Sequence, residues 1–317
     1  MRLTQWLLRA TASFRCRVVI LMYHRVFDAT SDPWEMCVSP KHFAEQLETL
    51  RRDYPVLSLD QLSKSLRDGQ LPKRGVVLTF DDGYADNLWN AKPLLVKYEL
   101  PATVFITSGS LDNPTEFWWD ALERIMLQPG KLPKYLQLSV QGRAYNWPAA
   151  NSDERQLAYM AIHQILQPLR SVDRDQIMDD LFAWSDVDQT GRSDYRPLTT
   201  AELIQLVQCE FVNIGAHSVT HPFLSVMSQD SQFAEIFGSR KKLEDILGSR
   251  VDTFSYPYGN LSPETVGIVS AAGFVSALTT DDNVVEKGAN PLLLGRFGVG
   301  DWDGERFKER LDEFFRS

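Results

Sequence analysis

The stretch that most constrains this chain is Gly75-Val76-Val77-Leu78-Thr79-Phe80-Asp81-Asp82-Gly83-Tyr84. Residues 76–79 form a short apolar run rich in β-branched side chains, which favours a buried strand. The run ends in two adjacent carboxylates and a glycine. Neighbouring residues on a strand point to opposite faces, so Asp81 and Asp82 share one site only if the backbone turns there. Gly83 permits that turn. A buried strand that delivers acids at its C-terminal edge fits an α/β protein, whose sites collect at that edge. Read alone, the same residues also fit a solvated acidic turn that caps a helix.

The pattern on either side favours the α/β reading. Residues 18–23 are a near-continuous apolar run, the expected first parallel strand, and it delivers His24 and Arg25 at its end. Helices are expected over 40–52, after Ser58 or Asp60, and over 86–98, with a further strand in 100–106. That strand–helix–strand rhythm implies a parallel sheet. From about residue 112 to 195 the rhythm breaks. Trp118, Trp119, Leu122 and Ile125 fall on one helix, and residues 135–140 and 144–147 read as a hairpin turning at Gln141-Gly142. Polar helices fill 152–183. Residues 112–195 therefore read as an insertion covering a barrel mouth, within a single domain of residues 1–317. The rhythm resumes with helices over 199–208, 230–247 and 262–271, and strands over 211–214, 253–256, 275–278 and 292–294. The expected class is α/β, an incomplete or distorted (β/α) barrel of about seven strands with a helical and hairpin insertion.

Composition narrows the partners. A formal net charge of −9 argues against nucleic acid. Cys16, Cys37 and Cys209 have no metal-ligand spacing and are expected to be free thiols in a reducing compartment. No apolar run reaches the roughly 20 residues of a membrane span. Arginines interrupt every apolar stretch near the start, so no secretory segment is expected and the cytoplasm is the expected location. Residues 2–15 place Leu3, Trp6, Leu7, Ala10 and Phe14 at helical spacing. Such a basic amphipathic helix would suit peripheral association with the inner membrane face, or packing across the end of the domain. The oligomeric state is open.

After the strand at 211–214 the chain reads Gly215-Ala216-His217-Ser218-Val219-Thr220-His221-Pro222. Two histidines four apart on a helical turn share one face, close enough to hold one metal ion. The chain has only five histidines, so this pair stands out. With a carboxylate from the 81–82 pair it makes a two-His, one-carboxylate set that suits Zn²⁺, and also Co²⁺, Ni²⁺, Fe²⁺ or Mn²⁺.

Three motifs occur in order: Thr79-Phe80-Asp81-Asp82-Gly83, His217-Ser218-Val219-Thr220-His221-Pro222 and Tyr256-Pro257-Tyr258-Gly259. Together they resemble the polysaccharide deacetylase family, carbohydrate esterase family 4. The opening Leu21-Met22-Tyr23-His24-Arg25-Val26 resembles the exopolysaccharide branch that includes poly-N-acetylglucosamine deacetylases. The resemblance implies that Asp81 is the general base and that Asp82, His217 and His221 hold a divalent metal, Zn²⁺ foremost. It also implies that the backbone N–H of Tyr258 helps hold the oxyanion, and that an N-acetylated carbohydrate loses acetate.

The chain departs from the family pattern twice. Ser255 stands where the family usually has an arginine against the catalytic aspartate. Residues 292–297, Leu-Leu-Leu-Gly-Arg-Phe, lack the late histidine that usually serves as general acid. Arg296 is the expected substitute for the arginine. His24 is the expected substitute for the acid, because first and last strands are neighbours in a closed barrel. Of the aromatic residues only Tyr258 is expected at the site, and His42 and His163 are expected on the surface. Two other functions fit these residues: a carbohydrate-binding relative without catalysis, and a metal-dependent hydrolase of a non-sugar amide.

Overall fold

The structure, a computed structural model, describes residues 16–128 and 130–317. The amphipathic stretch 2–15 lies outside the described residues. Seven strands form the frame: β1 (Arg17–Tyr23), β2 (Arg74–Phe80), β3 (Ala102–Ile106), β4 (Val212–Ala216), β5 (Thr253–Ser255), β6 (Ser276–Leu278) and β7 (Phe297–Gly298). They pair in parallel in the order β6-β5-β4-β3-β2-β1-β7. The short strands Val56–Leu57 and Val285–Glu286 add to β2 and β1.

The two edges of this curled sheet meet through residues 291–298. Leu294 bridges Leu278 of β6, and Phe297 pairs with Leu21 of β1. The late strand expected at 292–294 is thus only a single bridge, with the paired strand further on at Phe297–Gly298. A side chain at Gly295 would collide with the Asp281 carbonyl oxygen, 2.6 Å from a built Cβ, and the tight approach there interrupts regular pairing.

Strand alternation sorts the core into faces. Val19, Leu21, Val76, Leu78 and Phe80 pack outward with the helices, whereas Val18, Ile20, Val77, Phe105 and Leu278 pack together on the other face. By the same parity Thr79 and Asp81 follow Val77. The acid therefore leaves the strand on the face where residues 291–298 close the ring.

Residues 112–195 build a separate hydrophobic cluster. It comprises helices Trp118–Leu127, Ser152–Leu166 and Ser171–Ser185 and the antiparallel hairpin Tyr135–Val140/Arg143–Pro148. The hairpin turns at Gln141 and Gly142, both at positive φ. Tyr84, just past the end of β2, belongs to this cluster, which ties the segment to the strand carrying the acids.

Two further expectations change. The helix foreseen over 86–98 opens with a π-helical turn, Asn87–Ala91, before Lys92–Tyr98. Pro93 has no N–H to donate to the carbonyl four residues back, which favours the wider turn. His163 is not a surface residue. It is 7% exposed, among Trp34, Trp118 and Tyr159, and burial pulls its pKa down to about 4. The helix moment around it is weak, so polarity alone misplaced its face. His42 is half-buried and pairs with Asp301 at 2.7 Å. Cys16, Cys37 and Cys209 are free. Among the described residues no helix is long and apolar enough to cross a membrane.

Candidate active site

The acids turn as the sequence requires. Asp82 has φ 73° and Gly83 φ 80°, two successive left-handed residues. Such a conformation costs a non-glycine residue of order 1 kcal/mol or more, and it rotates the Asp82 carboxylate away from strand alternation toward β4. Any side chain at Gly83 would also strike Ile106, 2.8 Å from a built Cβ.

The histidines converge by a different device from the one expected. Residues 217–221 form a loop, not a helical turn. Ser218 at φ 62° and His221 at φ 55° reverse the chain, and the Ser218 hydroxyl accepts from the His221 N–H at 3.0 Å. Glu235 fixes the loop from behind, accepting from the N–H groups of Val219 and Thr220 and from the Thr220 hydroxyl. These local side-chain bonds replace helical ones.

Asp82 Oδ1, His217 Nε2 and His221 Nε2 then face one another at 3.5, 3.4 and 3.1 Å. All three residues are buried, and they form a group of suitable ligand atoms within 4.8 Å. A tetrahedral ion with bonds of about 2.05 Å has ligand–ligand edges of about 3.3 Å, so this donor set fits a divalent cation. The tautomer agrees. A backbone carbonyl can only accept, so His217 Nδ1 donates to the Ser255 oxygen at 2.8 Å, and in the neutral ring that a metal ligand requires Nε2 keeps its lone pair toward Asp82. Three electron-rich atoms in mutual contact are poorly satisfied by one shared proton and well satisfied by a cation. His221 Nδ1 has no partner among the described residues, and the ring is braced by Trp119 at 5.0 Å and Tyr258 at 4.3 Å between centroids.

Asp81 stands beside this set and is held separately. Arg296, wholly buried, donates Nη1 to Oδ1 at 2.8 Å and Nη2 to Oδ2 at 2.6 Å, a two-pronged grip. Its Nε donates to the Thr279 carbonyl, which fixes the guanidinium's plane. Ser255 sits in the same network: its hydroxyl accepts from Arg296 Nη2 at 2.8 Å and donates to Asp81 Oδ2 at 3.2 Å. The arginine missing from position 255 is thus supplied by residue 296, and the small serine leaves room for it. Burial raises the Asp81 pKa, but Arg296 and His217 outweigh it and hold the carboxyl below its usual range. Asp82 is also lowered, with burial opposed by His217 and His221. Burial lowers His217, but Asp81 and Asp82 more than reverse it, so its pKa is raised. Burial dominates at His221 and takes it to about 3.

His24 follows β1 where Tyr23 pairs with Phe80, so it lies alongside Asp81. It is half-buried, and its backbone oxygen accepts from Asn87. Tyr258 has φ 58°, which turns the backbone at the edge of the site. The sequence reading underrated Trp119, whose indole N–H donates to the Tyr84 hydroxyl at 2.7 Å while its ring meets His221. The contact joins residues 35 apart in the chain, so no local pattern points to it. Trp302 lies elsewhere, against Phe314.

Beside His221 opens a cavity of about 450 Å³, lined by Trp118, Trp119, Arg174, Met178 and Phe182 among others. It gives the site a cleft wall built largely by residues 112–195.

Comparison with known proteins agrees with this geometry. The sequence pattern of the family described as Polysaccharide deacetylase matches residues 68–131 and 185–277. YxkH of Bacillus subtilis (strain 168), whose name places it among polysaccharide deacetylases, is 21% identical over 285 residues, covering 89% of this chain and 71% of that protein. Poly-beta-1,6-N-acetyl-D-glucosamine N-deacetylase of Escherichia coli (strain K12) is 33% identical over 100 residues, 31% of this chain and only 15% of that protein. The structure of Streptococcus pyogenes deacetylase PplD in complex with acetate superposes with a TM-score of 0.60 at 20% identity, covering 93% of this chain and 98% of that one. With its three motifs in order and its strand ends converging on one site, the chain belongs to the polysaccharide deacetylase family.

Proposed function

We propose that this carbohydrate deacetylase removes N-acetyl groups from an amino-sugar polymer, oligosaccharide or lipid-linked sugar, and that Asp82, His217 and His221 hold the divalent cation it uses. The observation that carries the reading is a buried carboxylate, Asp81, kept out of the three-ligand cluster and pinned beside it by Arg296. A binding module has no need of such an unligated base. The bound cation, Zn²⁺ in the first instance, would acidify a water molecule and polarise the amide carbonyl.

The chain's own groups do the rest. Asp81, held ionised, accepts the proton of the attacking water, and Arg296 and Ser255 keep its oxygens aimed. The Tyr258 N–H donates to the oxyanion as the carbonyl carbon becomes tetrahedral. His24 gives a proton to the sugar nitrogen as the C–N bond breaks, leaving a free amine and acetate. Trp119 and Tyr258 pack against His221 and shield it from water.

The test is acetate release from a panel of N-acetylated glycans by protein purified without added metal, before and after chelation. Release that stops on chelation and returns with a divalent ion supports the reading. Glycan binding with no release from any member contradicts it in favour of a non-catalytic carbohydrate-binding relative. Release from non-sugar amides alone contradicts the substrate class.

A further inference from the structure

Arg174 lies on the helix Ser171–Ser185, inside residues 132–184, the part of the chain between the two segments matched to the family. It is 4% exposed and lines the cavity beside His221. Its Nε and Nη1 have no hydrogen-bond partner among the described residues. The guanidinium is charged at any physiological pH, and an unpaired buried charge is among the costliest groups a protein can hold. The Trp118 ring, 5.1 Å from its Cζ, supplies only a cation–π contact. Such a contact offsets a small part of that cost.

The acids facing it from neighbouring elements do not neutralise it. Glu235 acts on it electrostatically but spends its oxygens on the backbone of Val219 and Thr220. Asp175 and Asp179 are exposed at the rim. Glu116, also on the cavity wall, is paired with Arg124 and Arg192. Burial therefore prevails and the Arg174 pKa is lowered. Arg174 and His221 line the same cavity, which places the guanidinium beside the candidate site.

We infer that Arg174 is a specificity residue that takes an oxyanion, a carboxylate or phosphate carried by the glycan next to the sugar being deacetylated. The inference rests on the deacetylase reading and narrows its substrate to anionic amino-sugar glycans. A guanidinium pairs with either oxyanion through parallel N–H donors, and a site built to pair a charge discriminates against ligands that lack it.

The experiment compares three N-acetylglucosamine oligomers: neutral, bearing a uronic acid carboxylate, and bearing a phosphate. The expected wild-type kcat/KM is at least about tenfold higher for one anionic oligomer than for the neutral one, mainly through KM. The arm that shows the gain identifies the source of the charge. Arg174→Gln brings the anionic-to-neutral ratio near one, and Arg174→Lys restores part of it. A wild-type ratio near one in both arms overturns the inference and leaves the deacetylase reading standing. Acetate release from none of the three defeats that reading instead. Melting curves with millimolar glucuronate or inorganic phosphate then decide Arg174: at least one should stabilise wild type more than Arg174→Gln. Equal shifts in the two proteins, or none, overturn the inference.

Discussion

Two buried arginines lie on either side of this site, and they differ in what answers them. Arg296, on the segment that closes the barrel, has every arm engaged, by Asp81, Ser255, Thr79 and the Thr279 carbonyl. Arg174, on the wall of the cavity beside His221, has two nitrogens with no partner among the described residues. A satisfied buried network holds one geometry, which is what a proton-transferring carboxylate needs. An unsatisfied one is poised for a ligand to complete it. On the proposed reading the barrel carries the groups that do chemistry, and residues 112–195 carry a group suited to recognition.

Substitutions can break or sharpen that contrast. The largest effect is expected at Asp81. Asp81→Asn keeps the shape but removes the base, and acetate release should fall by about 10³-fold or more with bound metal unchanged. Loss of metal in that variant would show Asp81 to be a ligand. His24→Ala should lower turnover by roughly 10²-fold, again with metal content intact, as expected for a proton donor. An unchanged rate would remove His24 from the mechanism.

Arg296→Gln tests the satisfied side through stability as well as rate. It leaves Asp81 buried with Ser255 as its remaining donor, and breaking such a pair costs about 3–5 kcal/mol, readable in denaturant unfolding. A loss below about 1 kcal/mol would mean water replaces the guanidinium at no structural cost.

The smallest effect tests the cover. The folded chain protonates His163 only near pH 4, whereas the unfolded chain does so from about pH 6.5 downward. Between those values the unfolded state holds more protons, so stability falls as pH drops through the window. Asp120, raised to about 7 mainly by burial, has the opposite sign: its stability contribution is lost as pH rises toward 7. His163→Phe removes the first contribution alone. Between pH 6.5 and 4, wild type should lose up to about 3 kcal/mol more than the variant in unfolding measurements. Parallel pH curves for the two proteins would refute the buried, neutral histidine.

The parts of this molecule visible in the sequence were those written in local periodicity. The strand that ends at the acids, the hairpin at Gln141-Gly142 and the first strand ending at His24 all follow from alternation and turn chemistry. The convergence of His217 and His221 was legible in spacing, but its device was not. The loop that carries positive φ at Ser218 and His221 is held by bonds from Val219 and Thr220 to Glu235, sixteen and fifteen residues further along the chain, which no local pattern encodes. Ser255 looked like a loss because its compensation comes from Arg296, 41 residues later on the closing segment. The burial of His163 and the isolation of Arg174 are likewise properties of packing between distant elements.

The most direct measurement is divalent metal per chain by elemental analysis, taken with acetate release on the same samples, for wild type and Asp82→Ala. One tightly bound ion per wild-type chain, lost together with acetate release in Asp82→Ala and on chelation, is the result expected. Full acetate release from protein stripped of metal would contradict it.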